Sequence, residues 1–289
     1  MIDLQGKSDY RDRAFAKITA GAAAVVLLIL GLIAITITRR SLPVFREMGF
    51  GFFTSTRWSP PDGLFGALPF IWGTAFTAAI AIVLAVPISL GVALFMTQVA
   101  PPRLARPLVY LIDLLAGVPS VVFGLWGVLV LSQYFDLGRS FLTAGIILAI
   151  MIIPIITSLS REVIETTPNG DKEGALAMGT TRWEMISATV LPHSAGGLVG
   201  AVMLGLGRAM GETIAAALVI GSALGQITLR PLAPGNSMPA VIANEWGEAQ
   251  ALHKSALIAL AVTLFAITIL VNLVATAIVQ RSMRRGQGT

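Results

Sequence analysis

Six stretches of nearly unbroken apolar residues divide the chain, at 17–38, 70–97, 108–133, 141–160, 198–224 and 256–280. Each reaches the roughly 20 residues that a helix needs to cross the hydrocarbon of a bilayer. The runs are continuous, unlike the ten-residue alternating strands of an outer-membrane barrel. The pattern therefore predicts an all-α integral membrane protein with six transmembrane helices. Lys7, Arg11, Arg13 and Lys17 precede the first run as they would in a secretory signal. That run is too long for a signal, and Arg39 and Arg40 occupy the place of a cleavage site, so we read it as a retained helix.

Composition agrees with the pattern. Hydrophobic residues make up 55% of 289 positions and charged residues 12%, against about 25% charged in an ordinary soluble domain. The predicted organisation is a tail at 1–16, a first transmembrane helix at 17–38, an external loop at 39–69, helices two to six within 70–281, and a tail at 282–289. One side of the six spans carries twelve Lys and Arg, the other seven, and Arg208 lies between them. The bias predicts that both termini are cytoplasmic. The net charge of +5 follows from that topology, and no nucleic-acid partner is needed to explain it. With no cysteine, disulfides and thiolate metal sites are excluded. His193 and His253 are too few for a metal cluster and read as polar loop residues.

The external loop at 39–69 holds Phe45, Phe50, Phe52, Phe53, Trp58 and Phe65, with Pro60, Pro61, Asp62 and Gly63 as a turn. Two readings stand: an aromatic belt at the membrane surface, or a docking surface for an external partner. A second loop, at 225–253, would lie beside it. The loop at 161–197 spells a helical hairpin on the cytoplasmic side. Thr167 and Pro168 suit a helix N-cap and first position, and Gly179 suits a left-handed helix end. Thr181 and Glu184 then form a capping box for a second helix that Pro192 limits. The small apolar run from Ala175 to Met178 suits insertion into a protein groove.

Arg208 and Glu212 sit near the middle of the run at 198–224. An ion at the centre of a membrane helix costs roughly 2.5–3.5 kcal/mol on insertion scales, and such ions commonly mark pathways. Four-residue spacing puts both side chains on one helical face. The Arg208 guanidinium is permanently charged and offers a fork of donors matched to two oxyanion oxygens. A carboxylate accepts a hydrogen bond from a phosphate that still holds a proton, and it repels sulfate, which holds none. A structural ion pair between Arg208 and Glu212 is the competing reading, and the residues alone leave both open.

Other positions carry less. Gly207 and Gly211 form a G-x-x-x-G pair that permits close helix approach. Pro87, Pro119 and Pro154 fall inside apolar runs, where each removes a backbone hydrogen bond and allows a bend. Ser120 beside Pro119 either lines a path or satisfies a freed carbonyl. Asp113 either faces the membrane surface or meets a polar partner. No G-x-x-x-x-G-K-[ST] loop occurs. Gly6, Lys7 and Ser8 imitate only the end of that motif, so any ATP-driven work needs an outside motor.

Glu173, Gly174, Ala175, three residues, Gly179, nine residues, then Thr189, Val190, Leu191 and Pro192 resemble the EAA loop of ABC-type importer permeases. Gly174 stands at the second position of that pattern, in place of its first alanine, and Thr189 in place of its isoleucine. The run GRAMGETIAAALVIG from Gly207 to Gly221 is similar to the fifth-helix segment of the phosphate-import permeases of the Pst system, and most similar to their C-type subunit. FGALPFIWGT, GVPSVVFGLWG and IANEWGEA extend the resemblance over 65–281.

The resemblance implies a type I ABC importer permease fold and phosphate import across the bacterial cytoplasmic membrane. It also implies a second permease subunit, two ATP-binding subunits below, and an external phosphate-binding protein above. ATP and Mg would lie on the partner subunits, with no cofactor on this chain. The implied path residues are Arg208, Glu212 and Thr213, with Ser120 and Asp113 as further candidates. The implied coupling residues are Glu173, Gly174, Ala175, Ala177, Met178, Gly179, Leu191 and Pro192. The alternatives are a permease for molybdate or sulfate, or a structural membrane scaffold. An intramembrane enzyme is excluded because no histidine or cysteine in the apolar runs supplies a nucleophile, base or metal cluster.

Overall fold

The structure, a computed structural model, describes residues 10–286. The fragment Gly6, Lys7 and Ser8 and most of the N-terminal tail lie outside the described residues. Five helices are long and apolar enough to cross a membrane: Arg13–Met48, Leu68–Val99, Phe141–Glu165, Arg182–Gly211 and Ala251–Ala277. A pair of helical segments, Pro102–Ala116 and Ser120–Tyr134, bent by 90°, passes the same test taken together and makes up to six candidate spans among the described residues. The helical multi-span reading holds, although three of the expected runs, the first, third and fifth, differ in extent or are broken.

Helix α1, Tyr10–Met48, has 39 residues and is therefore about 58 Å long, nearly twice the hydrocarbon thickness. It passes through Arg39 and Arg40, so the loop expected from position 39 begins only after Met48. A short α2, Gly51–Thr54, follows. The strands β1, Trp58–Ser59, and β2, Leu64–Phe65, then form a small antiparallel hairpin across the Pro60–Asp62 turn. The aromatic residues of this segment divide. Phe52, Trp58 and Phe65 are buried in a core with Val44, Phe70, Met238 and Leu257, and Phe45 and Phe53 pack against it. Phe50 alone among them stands fully outward. They are a domain core, so both the belt and the docking-surface readings give way for the buried members. Trp58 packs edge-on against Phe65 and Phe70, and Phe52 edge-on against Phe45 and Phe53, and the area these rings remove from water outweighs what an interface position offers.

The centre of the bundle is a parallel pair, α3, Leu68–Leu94, against α6, Phe141–Glu165, in register from Phe76 beside Phe141 to Ser89 beside Ile153. Gly145 permits their contact, since a Cβ there would lie 2.4 Å from the Ile80 side chain. Pro87 and Pro154 lie inside these two helices as expected. The buried Ser89 hydroxyl donates to the Ile153 carbonyl across the pair at 3.2 Å. Pro119 is different. It is the N-cap of α5, Ser120–Trp126, and α4, Pro102–Ala116, ends just before it. The continuous span expected at 108–133 is thus broken at Gly117, Val118 and Pro119. A residue before proline disfavours the helical conformation, and proline itself lacks the donor that would continue the ladder.

The hairpin is formed by α7, Asn169–Ala177, and α8, Arg182–Met185. Pro168 caps α7 without a side-chain hydrogen bond. Thr167, expected as that cap, is buried with its hydroxyl 3.4 Å from Ser194 Oγ. Gly179 has φ +86°, the left-handed end the sequence called for. The Thr181 side chain accepts from the Glu184 amide at 3.3 Å, and Glu184 Oε2 accepts from the Thr181 amide at 2.7 Å. This completes the capping box. Pro192 does not end the second helix. It falls in the first turn of α9, Leu191–Gly211, which α8 joins through a wider π turn at Ile186–Val190. A π turn already misaligns the i to i−4 ladder, so a missing proline donor costs little there.

Beyond α9 lie α10, Ile214–Val219, then α11, Met238–Glu245, and α12, Ala251–Gly286. The segment between α10 and α11 is wedged between helix starts. A Cβ on Gly235 would overlap the Phe141 ring, and one on Gly73 would overlap the Asn236 carbonyl. The Phe141 and Leu142 amides donate to Ala233 and Pro231 carbonyls of this segment, and Trp72 Nε1 donates to the Thr228 carbonyl.

Candidate functional site

Arg208 lies in the last turn of α9, and the helix ends at Gly211. Glu212 is the C-cap, with φ −69° and ψ 125°, an extended conformation. Thr213 precedes α10 as its N-cap, and its hydroxyl donates to the Gly211 carbonyl at 3.2 Å. The expectation that Arg208 and Glu212 share one helical face is therefore corrected, because the helix stops between them. Glu212 Oε1 accepts from the Ala215 amide at 3.4 Å and so caps the first turn of α10. Among the described residues no ion pair joins Arg208 to Glu212. The internal-lock reading has no support in this conformation.

Both residues nevertheless face the same space. An open cavity of about 730 Å³ is lined by Gly200, Met203, Leu204, Gly207, Arg208 and Gly211 of α9, by Glu212, by Ile155 of α6 and by Asn272 of α12. The glycines of α9 divide by face. A Cβ on Gly197 would press on Val163 and one on Gly205 on Ile156, both of α6. Gly200, Gly207 and Gly211 have nothing within 4 Å of such a Cβ. The G-x-x-x-G pair at Gly207 and Gly211 thus lines the cavity and packs against no other described helix of this chain. Gly197 and Gly205, eight residues apart, are the packing positions. Irregular backbone at membrane depth is tolerated where it lines a cavity, as Gly211 and Glu212 at the break do.

Ser120, Asp113 and Thr213 are not among the residues lining this cavity. Ser120 begins α5, and Asp113 is exposed on α4. Asn272 was missed in the sequence. Its signal was a single amide in the middle of the run ILVNLVA. His253 was also misread. Its Nε2 donates to Glu245 Oε2 at 2.8 Å, which also accepts from Trp58 Nε1 at 2.9 Å, and the Phe65 ring stacks on His253.

The coupling candidates separate into two groups. Ala175 and Leu191 pack against a core of Ala93, Ile164, Met185, Ile186, Val190 and Leu198, which fastens the hairpin to the bundle. Glu173, Gly174, Ala177, Met178, Gly179 and Pro192 face outward. Met178 is 84% exposed, with Leu176 and Trp183 as further large apolar side chains on the same hairpin. From Arg182 to Gly211 the helix runs 30 residues, about 45 Å, so one rod joins the exposed hairpin to the cavity.

Solved transporters share this architecture. A bacterial alginate ABC transporter matches over 96% of this chain and 99% of its own, with a TM-score of 0.66 at 14% identity. The MetNI methionine ABC transporter in an inward-facing form matches over 78% and 99%, with a TM-score of 0.62 at 17% identity. The fold is that of a type I ABC importer permease.

The sequence narrows the class. Residues 85–284 match the family described as binding-protein-dependent transport system inner membrane component. The phosphate transport system permease protein PstC of Mesorhizobium japonicum is 40% identical, with 93% of this chain and 90% of the relative covered. PstC of Xylella fastidiosa strain Temecula1 is 40% identical over 97% and 95%, and that of Haemophilus influenzae 39% over 89% of each. The chain belongs to the PstC family of ABC importer permeases. It is a multi-pass protein of the bacterial inner membrane and a non-enzymatic transport component. As the permease of such an importer it works with ATPase, permease and binding-protein subunits.

Proposed function

We propose that this chain forms, with a second permease subunit of the PstA type, the path by which inorganic phosphate enters the cell. Two ATP-binding subunits of the PstB type would drive it, and an external phosphate-binding protein of the PstS type would deliver the ion. The observation that carries the reading is the shared cavity of Arg208 and Glu212 at a helix break within the bundle. Among the described residues the Arg208 fork has no ion pair, and its donors match two phosphate oxygens. Glu212 accepts a hydrogen bond from the hydroxyl that phosphate keeps near neutral pH.

The hairpin faces the cytoplasm in this reading, with its outward side chains in a groove of the ATPase. Ala175 and Leu191 pass the movement inward, and ATP and Mg stay on the partner. The excess of Lys and Arg on the hairpin side supports that orientation.

Reconstitution of the chain with its partners, followed by ATP-dependent uptake of labelled phosphate against sulfate and molybdate, tests the proposal. Arg208→Ala is expected to abolish uptake in a complex that still assembles. Preserved uptake, or preference for another oxyanion, overturns it.

A further inference from the structure

Helix α12 carries four polar side chains between Ala256 and Ala277: Thr263, Thr268, Asn272 and Thr276. The three threonine hydroxyls are all consumed locally, each donating at 2.8 Å to the carbonyl four residues earlier, on Ala259, Leu264 and Asn272. Asn272 is the exception. Its amide has no hydrogen-bond partner among the described residues, it is exposed, and it lines the cavity that holds Arg208 and Glu212. An uncommitted amide in hydrocarbon is unfavourable, so a position that opens on a polar space is where it is tolerated.

We infer that Asn272 is a third substrate-contacting residue of the path, contributed by α12, and that its amide accommodates either protonation state of the passing ion. This rests on the proposed phosphate path. The three groups differ in what they offer. Arg208 only donates, ionised Glu212 only accepts, and an amide does both. The singly charged, doubly protonated phosphate has two bare oxygens and two hydroxyls. Its bare oxygens meet the Arg208 fork, one hydroxyl donates to Glu212, and the other donates to the Asn272 carbonyl. An ion with a single hydroxyl meets the Asn272 NH2 instead, because the amide side chain serves either orientation. The cavity therefore accepts both protonation states that coexist near neutral pH, whereas a carboxylate at position 272 would repel the doubly charged one.

The test uses the complete reconstituted importer, with uptake and ATP hydrolysis stimulated by the loaded binding protein measured on the same vesicles. Asn272→Leu is expected to lower phosphate uptake about tenfold or more, the effect of one lost hydrogen bond to a charged group, while stimulated hydrolysis persists. Asn272→Gln, which keeps the amide, is expected to restore a substantial part. Asn272→Asp, equal in size, is expected to assemble and to lose uptake progressively as pH rises and the doubly charged ion predominates. If Asn272→Leu fails to assemble, the aspartate variant decides. Wild-type uptake in an assembled leucine variant overturns the inference, and so does an aspartate variant whose uptake follows the wild-type pH profile. A wild-type complex that moves a different oxyanion defeats the phosphate reading instead, which separates the two failures.

Discussion

Arg208 and Glu212 face one cavity from the two sides of a helix end, the arginine in the last turn of α9 and the glutamate in extended backbone just beyond it. Because Glu212 also accepts from the Ala215 amide, its carboxyl is held at the start of α10 while one oxygen remains for the cavity. Glutamine keeps an acceptor oxygen for Ala215 and removes the charge. Glu212→Gln is expected to leave the complex assembled and to raise sulfate uptake relative to phosphate about tenfold, the weight of roughly 1.4 kcal/mol. Competition between labelled phosphate and sulfate checks it, and an unchanged ratio would defeat the proton-acceptor role.

The glycines of α9 give a paired test. Gly205→Ala presses a methyl group against Ile156, whose nearest side-chain atom would be 2.6 Å away, and is expected to destabilise the bundle by about 1–3 kcal/mol. Gly207→Ala meets nothing within 4 Å. It is expected to keep or slightly raise stability, because alanine is the better helix former, and to slow uptake by narrowing the cavity. Thermal unfolding in detergent alongside uptake separates the two.

Trp58, Glu245 and His253 tie the β hairpin to α11 and α12 through a partly buried carboxylate. Glu245→Ala leaves the buried Trp58 indole donor without its partner. The expected loss is about 1–3 kcal/mol of stability, measured as a lower unfolding midpoint. Glu245→Gln retains an acceptor and is expected to lose less.

At Gly174 the sequence departs from the alanine of the EAA pattern, and an added Cβ meets nothing there. Gly174→Ala is expected to stiffen α7 by about 0.5–1 kcal/mol without disturbing its fit to the bundle. Slower hydrogen exchange across Asn169–Ala177, with stimulated ATP hydrolysis intact, is the result to look for.

The crossings were legible because long apolar runs have few alternatives, and the hairpin because Gly179 and the Thr181–Glu184 box state their geometry locally. The break at Gly211 was not read. Its flanks are as apolar as a continuous helix would be, although a glycine at a helix end and a threonine at the next cap were present as signals. Gly117, Val118 and Pro119 marked the other break more openly. The Trp58–Glu245–His253 link spans 187 positions in sequence between its tryptophan and its glutamate, and no local pattern announces such a meeting. The aromatic loop misled for a related reason. Ring content fits an interface and a core equally well until the neighbours are known.

The stop at Gly211 alters what movement of the rod can accomplish. Had Arg208 and Glu212 ridden on one helix, their spacing would be fixed by its pitch, and any shift would carry them together. With the rod ending between them and Glu212 fastened to the next segment, a slide or twist of Arg182–Gly211 changes the gap itself. In the proposed path, the distance between the charge that would hold an anion and the one that would test its proton then becomes adjustable from the far end.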